Sequence, residues 1–90
     1  MKESQLQTKI KDRLTKYGWF VTKLKATSTN GIPDLLCIKR GRIAFLEVKT
    51  DDGVVSELQK YMIDKLNGHG CYARVVRSVE DVDVMCGVNL

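Results

Sequence analysis

The sequence has little of the chemistry on which most catalytic and metal centres depend. It contains one histidine, His69, within a Gly-His-Gly segment, so no Ser-His-Asp or Cys-His arrangement with an orienting partner is available. The three cysteines show neither CxxC spacing nor a set of histidine companions, which argues against a zinc site. No apolar run approaches the length of a membrane span. We expect neither a membrane partner nor a small-molecule cofactor.

Repeats, low-complexity segments and flexible linkers are also lacking, and Pro33 is the only proline. The 90 residues are therefore expected to form one domain, residues 1–90. An odd number of cysteines without a recognisable signal peptide favours a reducing, intracellular location in the cytoplasm. The formal net charge of +4 at pH 7 favours an anionic partner such as nucleic acid.

What is present is an alternation of helical and strand patterns. Leu6, Ile10 and Leu14 recur at helical spacing within a predicted first helix, residues 3–17. A helix after Ser56 separates the third and fourth predicted strands, so we expect these strands to be parallel with a right-handed crossover. The predicted order αβββαβ, followed by a short helix, indicates an α/β fold with a mixed central sheet flanked by helices. The predicted strands are 19–25, 33–38, 43–50 and 71–76, and the second helix is 57–67.

Three charged residues stand within a predicted hairpin of apolar strands. Residues 35–38 form a continuous apolar run, typical of a strand covered on both faces, and Asp34 directly precedes it. Glu47 and Lys49 lie two apart on the next strand and therefore point to the same face. Burying two carboxylates and an ammonium is costly unless a metal and a phosphate compensate their charges. The hairpin therefore predicts a site that cleaves phosphodiesters.

Hard oxygen ligands of this kind suit Mg²⁺, for which Mn²⁺ would substitute. Asp34 and Glu47 would supply carboxylates, and the backbone carbonyl of Val48 would supply a third oxygen. Lys49 would orient or activate the attacking water, or stabilise charge on the phosphate. The alternative interpretation makes Asp34 a turn residue after proline and pairs Glu47 with Lys49 as a simple ion pair.

Several basic residues are candidates for positioning nucleic acid. Lys23 and Lys25 share a face of the first predicted strand, where they either reach the scissile phosphate or form a solvated edge. Phosphate contacts position DNA without reading its sequence. The other candidates for such contacts are Lys39, Arg40, Arg42, Arg74 and Arg77.

The hairpin resembles a known nuclease signature. Pro33-Asp34, followed after twelve residues by Glu47-Val48-Lys49, is similar to the PD-(D/E)xK motif. The order of predicted elements is also similar to the restriction-endonuclease-like core of that superfamily. The closer resemblance is to the VRR-NUC family, which includes small stand-alone nucleases common in phages.

The resemblance to the VRR-NUC family implies roles for two further residues. Glu3, on the first helix, would ligate or support the metal, and Gln59, on the second helix, would belong to the catalytic set. Each residue has a structural alternative. The helix dipole favours Glu3 in a first turn, and Gln59 lies three residues after Ser56, as a capping box requires.

Small members of the family resemble archaeal Holliday-junction resolvases, which are homodimers that cut branched DNA. The resemblance therefore implies a metal-dependent DNA endonuclease that is selective for branched structures such as four-way junctions and acts as a homodimer. One alternative is the same site acting on flap, nicked or linear DNA. Another is a nucleic-acid-binding module without catalysis, although Asp34, Glu47 and Lys49 are all present.

Overall fold

A computed structural model describes residues 1–87 of the chain. These residues form a mixed α/β fold, and the predicted order of elements is confirmed. The elements are α1 (Glu3–Lys16), β1 (Phe20–Lys23), β2 (Leu35–Lys39), β3 (Arg42–Val48), α2 (Glu57–Gly68), β4 (Tyr72–Val76) and α3 (Val79–Met85).

The four strands lie in the order β1-β2-β3-β4. The first two pairings are antiparallel, and β3 pairs with β4 in parallel, as the intervening helix predicts. Arg40 and Gly41 form the turn between β2 and β3, with φ of 50° and 80°. Positive φ at both central residues matches the type I′ turn that suits the twist of a hairpin.

Helices α1 and α3 bury one face of the sheet. Ile10 and Leu14 of α1 and Val82 of α3 are fully buried against it. Each such side chain contributes about 1.5–3 kcal/mol relative to an exposed one. The sheet supplies the remainder of this core from alternate positions of its strands, namely Val21, Leu35, Cys37, Ala44, Leu46, Val48 and Val76.

The opposite face of the sheet is covered only in part. Helix α2 lies over β4, where the Asn67 side chain donates to the carbonyl of Ala73 and accepts from its N–H. Beyond that helix, Phe20, Ile38 and Ile43 stand opposite one another on adjacent strands, with 63%, 37% and 43% of their surfaces exposed. The prediction that β2 is covered on both faces is therefore wrong. The reason is that α2 lies over β4, so that on this face of β2 Leu36 is half-buried and Ile38 is exposed.

All four strands are shorter than predicted, β1 the most. Trp19 lies outside β1 because its N–H donates to the carbonyl of Leu14 and so continues the end of α1. Lys25 lies beyond β1, and β3 ends at Val48. Across residues 1–87, none of the helices combines the length and the apolarity needed to cross a membrane.

Candidate active site

Three carboxylates from distant parts of the chain meet at one end of the sheet. Glu3 is the first residue of α1, Asp34 directly precedes β2, and Glu47 is the penultimate residue of β3. One oxygen of each lies within 4.8 Å of the others. The sequence brings them together because the β2–β3 pairing places the start of β2 beside the end of β3, and α1 packs across the same sheet.

Asp34 is fixed by its own backbone and side chain. Its carbonyl accepts a 2.8 Å hydrogen bond from the N–H of Leu24, which extends the pairing of β1 with β2. Its Oδ2 accepts a 2.9 Å hydrogen bond from the N–H of Val48 at the end of β3. One carboxylate oxygen thus bonds to the sheet, while the side chain as a whole remains partly accessible. Asp34 therefore does more than form a turn after Pro33.

The carbonyl of Val48 faces the same side as Asp34. In a strand, the N–H and C=O of one residue point the same way, and here the Val48 N–H points to Asp34. The N–H of Lys49 points the other way, to the carbonyl of Val76 on β4. Extending the β2–β3 register by two residues places Pro33 opposite Val48. Because proline has no N–H, it cannot occupy the Val48 carbonyl with a ladder hydrogen bond.

Glu47 is held where its charge is costly. Its side chain is only 3% exposed, and its carboxylate lies beside that of Asp34. Burial, and secondly the negative charge of Asp34, raise the pKa of Glu47 to about 7. The ammonium of Lys49 lies 3.5 Å from Glu47 Oε2 and only partly offsets this rise. A cation placed among these oxygens would remove the conflict.

Gln59 serves two structural purposes with different atoms. Its Oε1 accepts from the N–H of Ser56, while its own N–H donates to Ser56 Oγ, which completes the predicted capping box of α2. Its Nε2 donates a 3.1 Å hydrogen bond to Glu47 Oε2. The cap therefore positions the amide that holds the buried carboxylate.

The two lysines predicted on the first strand lie at the same end of the sheet as the carboxylates. Lys25 and Asp34 line a cavity of about 340 Å³, and the rest of its walls come from residues 24, 26–27 and 29–32. Lys23 ends β1, opposite Leu35, and is exposed. The cavity therefore places the Lys25 side chain near one carboxylate of the cluster.

The other predicted phosphate contacts are not all near the carboxylates. Arg40 and Arg42 lie at the β2–β3 turn, roughly 17 Å from Glu47 for five residues of strand. Lys39, beside them, donates from Nζ to the carbonyl of Tyr17 at 2.6 Å. This basic turn therefore lies far from the carboxylates, and the sequence pattern does not predict that distance.

Arg74 and Arg77 both have partners within the protein. The Arg74 guanidinium lies 4.3 Å from the ring centroid of Tyr72 and also donates to Asn67. Arg77 donates to the carbonyls of Thr50 and Gly53, at 2.7 and 2.9 Å. Arg77 therefore fixes the loop that follows Lys49. Sequence reasoning missed this role, because a backbone carbonyl leaves no trace in a residue pattern.

The fold and the site together define a class. A mixed sheet that presents an aspartate before its second strand and a Glu-x-Lys pair on its third, with a helix carrying Glu3 alongside, is the core of a PD-(D/E)xK nuclease. The chain belongs to the VRR-NUC family, whose model matches residues 1–80. Its role is accordingly that of a nuclease-type domain in DNA processing.

Solved structures agree with this assignment. One, described as a VRR-NUC domain, is 30% identical, with 98% of this chain and 97% of that chain aligned and a TM-score of 0.82. Another, described as a VRR-NUC domain protein, is 21% identical, with 97% and 86% of the two chains aligned and a TM-score of 0.76. The second likeness concerns the fold alone. A comparison with curated proteins finds no match.

Proposed function

We propose that the protein is a Mg²⁺-dependent DNA endonuclease, with Mn²⁺ as a substitute, and that its active site is the carboxylate cluster described above. The observation that carries the proposal is the approach of Glu3, Asp34 and Glu47 to within 4.8 Å, with Lys49 3.5 Å from Glu47. Charges so placed are costly in a structural role but suit a site for a cation and a phosphate.

The donor set fits Mg²⁺. Carboxylate and carbonyl oxygens are hard ligands, and Mg²⁺ fills its remaining positions with water and substrate phosphate. Asp34, Glu47 and the Val48 carbonyl would hold the ion, with Glu3 supporting it from the exposed side. When bound, such an ion supplies Lewis acidity to the phosphodiester and lowers the pKa of a coordinated water.

The chain's own residues would perform the remaining tasks. Lys49 is 17% exposed, so its ammonium can reach a substrate oxygen while remaining near Glu47. It would orient the attacking water or stabilise the negative charge that builds on the phosphate. Gln59 would hold the Glu47 carboxylate through Nε2. Lys25 would position the strand in the cavity beside Asp34.

Selectivity for branched DNA, such as four-way junctions, is the finer part of the proposal. The basic residues proposed here for DNA binding would contact phosphates, which position DNA without reading its sequence, so we propose DNA shape as the basis of selectivity. The exposed row of Phe20, Ile38 and Ile43 supports a homodimer, in which each protomer carries one site for a pair of cuts. We place this activity inside the cell, where DNA is found and free thiols such as Cys37 persist.

Cleavage assays test the proposal directly. The protein is incubated with labelled four-way junction, flap, nicked duplex and linear duplex, in Mg²⁺, Mn²⁺ or EDTA. We expect cleavage of the junction with either metal and none in EDTA. Cleavage of linear duplex alone would overturn the preference for branched DNA, and the absence of cleavage of every substrate would overturn the enzymatic function in favour of a binding module.

Matched variants assign the site. Asp34→Asn and Lys49→Ala should each lower the rate by at least about a hundredfold while leaving DNA binding mostly intact. Asp64→Asn and Lys60→Ala make the same chemical changes at exposed positions of α2 and should retain wild-type rates. Wild-type cleavage by both site variants would show that the reaction occurs elsewhere.

A further inference from the structure

A second set of cavities lies at the end of the sheet opposite the carboxylates. One, of about 520 Å³, is lined by residues that include Trp19, Arg42, His69 and Tyr72. The other, of about 140 Å³, is lined in part by Tyr17 and Lys39. Trp19, Arg42 and Met85 line both, so the two cavities adjoin each other and are here together called the aromatic groove. Its larger part falls within the range of small-ligand sites, about 300–1,000 Å³.

The charge of the aromatic groove has one sign. Its charged side chains are Lys39 and Arg42, and no acidic residue of the described range 1–87 lines either cavity. The contrast is a cavity beside the N-terminus of α1, where Asp51, Asp52 and Glu80 stand together with the basic residues Lys9 and Arg77. The aromatic groove therefore favours an anionic ligand, whereas the other cavity does not.

The aromatic side chains of the groove have contacts within the protein. The Trp19 side chain packs against the core. Tyr72 is 39% exposed and carries the Arg74 guanidinium 4.3 Å from its ring centroid. Fixed aromatic rings beside cations are the features by which proteins bind unpaired bases and their flanking phosphates without reading sequence.

We infer that the aromatic groove binds an unpaired nucleobase of a single-stranded segment, with Arg42 and Lys39 contacting the adjacent phosphates. The inference rests on the proposed function only in taking the bound strand to be part of the DNA substrate. The groove begins roughly 17 Å from Glu47 along β3, which is about five nucleotide steps of 3.4 Å. A substrate with a short unpaired segment beside the cut would therefore contact both ends of the sheet.

Trp19 provides a direct probe, because it is the only tryptophan in the chain. Oligothymidylate of about ten nucleotides is titrated into the protein in EDTA, which prevents cleavage, and indole emission is recorded. We expect quenching by this oligonucleotide and little by an abasic oligomer of equal length and charge. Equal quenching by the two, or no quenching by either, would overturn the inference.

Variants distinguish stacking of a base in the groove from general electrostatic attraction of the oligonucleotide. Tyr72→Leu and Arg42→Gln should each weaken binding of the oligonucleotide by about fivefold or more. Lys11→Gln removes an exposed charge of α1 that lines neither cavity, and its effect should be less than about twofold. Equal weakening by all three would show that only net charge matters and would overturn the groove. Circular dichroism establishes that each variant is folded.

Binding in the aromatic groove and nuclease activity can fail separately, and the two measurements show which one does. Asp34→Asn, which should not cleave, should still show quenching of Trp19 by oligothymidylate. A wild-type protein that cleaves DNA without quenching refutes the groove and leaves the nuclease intact. Quenching in a protein that cleaves none of the substrates supports the groove and refutes the nuclease.

Discussion

Glu47 is the residue at which stability and chemistry conflict most. Its buried carboxylate shares its surroundings with Asp34, and the pKa of about 7 expresses the cost of ionising it there. Lys49 and Gln59 hold it in position with one ionic contact and one hydrogen bond, but they do not restore an ordinary pKa. The protein thus maintains a carboxylate that a bound cation would stabilise.

Glu47→Gln should make the metal-free protein more stable. Because the folded state binds the proton more tightly than the unfolded state, stability falls as pH rises from about 4.5 to about 7. A rise of this size in the pKa of Glu47 corresponds to on the order of 3 kcal/mol. A neutral amide avoids this cost, so we expect the melting temperature at pH 8 to rise by at least about 5 °C, measured by calorimetry in EDTA.

The same variant should lose the response to metal. Mg²⁺ should raise the melting temperature of the wild type and leave that of Glu47→Gln unchanged. Glu57→Gln is the matched control, since the Glu57 side chain is 92% exposed, and it should behave as the wild type in both respects. A Glu47→Gln protein that is no more stable than the wild type at pH 8 would contradict the cause assigned to the raised pKa.

A variant of Ser56, the capping partner of Gln59, separates the two roles of Gln59. Ser56→Ala removes the hydroxyl cap but leaves Gln59 Nε2 free to bond Glu47, so it should cost about 1 kcal/mol of stability and little activity. Gln59→Ala removes both contacts and should lower both stability and the cleavage rate. Urea unfolding and single-turnover cleavage measure the two effects. Equal losses of activity in the two variants would show that Gln59 acts only through the helix.

At the scale of the elements, α3 is attached to α1 by a polar contact as well as by packing. Asp83 is 7% exposed, and its carboxylate accepts hydrogen bonds from Arg13 at 2.6–2.7 Å and from the Tyr17 hydroxyl at 2.5 Å. The hydrogen bonds from Arg13, and then from Tyr17, lower the pKa of Asp83. These partners are 66 and 70 residues away in sequence, so no local pattern predicts the contact.

The contact predicts a particular response to acid. Because the pKa of Asp83 is lowered, its stabilising effect is complete above the ordinary value of about 4 and is lost as pH falls through the folded pKa. Asp83→Asn should be less stable than the wild type above pH 4 and should lose less stability on further acidification. Urea titrations across pH measure this. Asp64→Asn, an exposed change on α2, should follow the wild type, and a parallel loss in Asp83→Asn would contradict the assignment.

The elements show where sequence reasoning succeeds and where it stops. The hairpin, the cap at Ser56 and the parallel pair β3–β4 depend on local patterns and connection length, and all were predictable. The coverage of β2 was not, because an apolar run looks the same whether a helix or a second copy lies over it. The aromatic character of Trp19 predicts a strand residue, yet its backbone N–H donates to the carbonyl of Leu14 at the end of α1.

Part of the candidate site could likewise be predicted from the sequence and part could not. Asp34, Glu47 and Lys49 are predicted from strand alternation and from the resemblance to a known motif, and the structure places them side by side. The aromatic groove did not follow from the sequence, because its residues come from four separate segments that only the sheet brings together. The role of Arg77 was equally hidden, since its partners are main-chain atoms.

At the scale of the whole molecule, the open face of the sheet bears on assembly. Phe20, Ile38 and Ile43 form a contiguous apolar row on the side that α2 leaves uncovered. Ile38→Lys should convert a dimer into a monomer, so that light scattering falls from twice the chain mass of 10.2 kDa to that mass. Val84→Lys changes an exposed valine of α3 outside the row and should leave the mass unchanged. A wild-type monomer at concentrations that cleave DNA would remove the dimer from the proposal.

Pro33 has a consequence that reaches beyond its own turn. A residue other than proline at this position could donate its backbone N–H to the Val48 carbonyl opposite and so continue the hydrogen-bond ladder. The imino acid cannot donate a ladder hydrogen bond to that carbonyl, which faces the same side as Asp34. Replacing Pro33 by a residue with a backbone N–H would strengthen the sheet, but that N–H would compete with a metal ion for the Val48 carbonyl oxygen. Under the proposed function, the residue that interrupts the sheet would thereby leave an oxygen available to the metal.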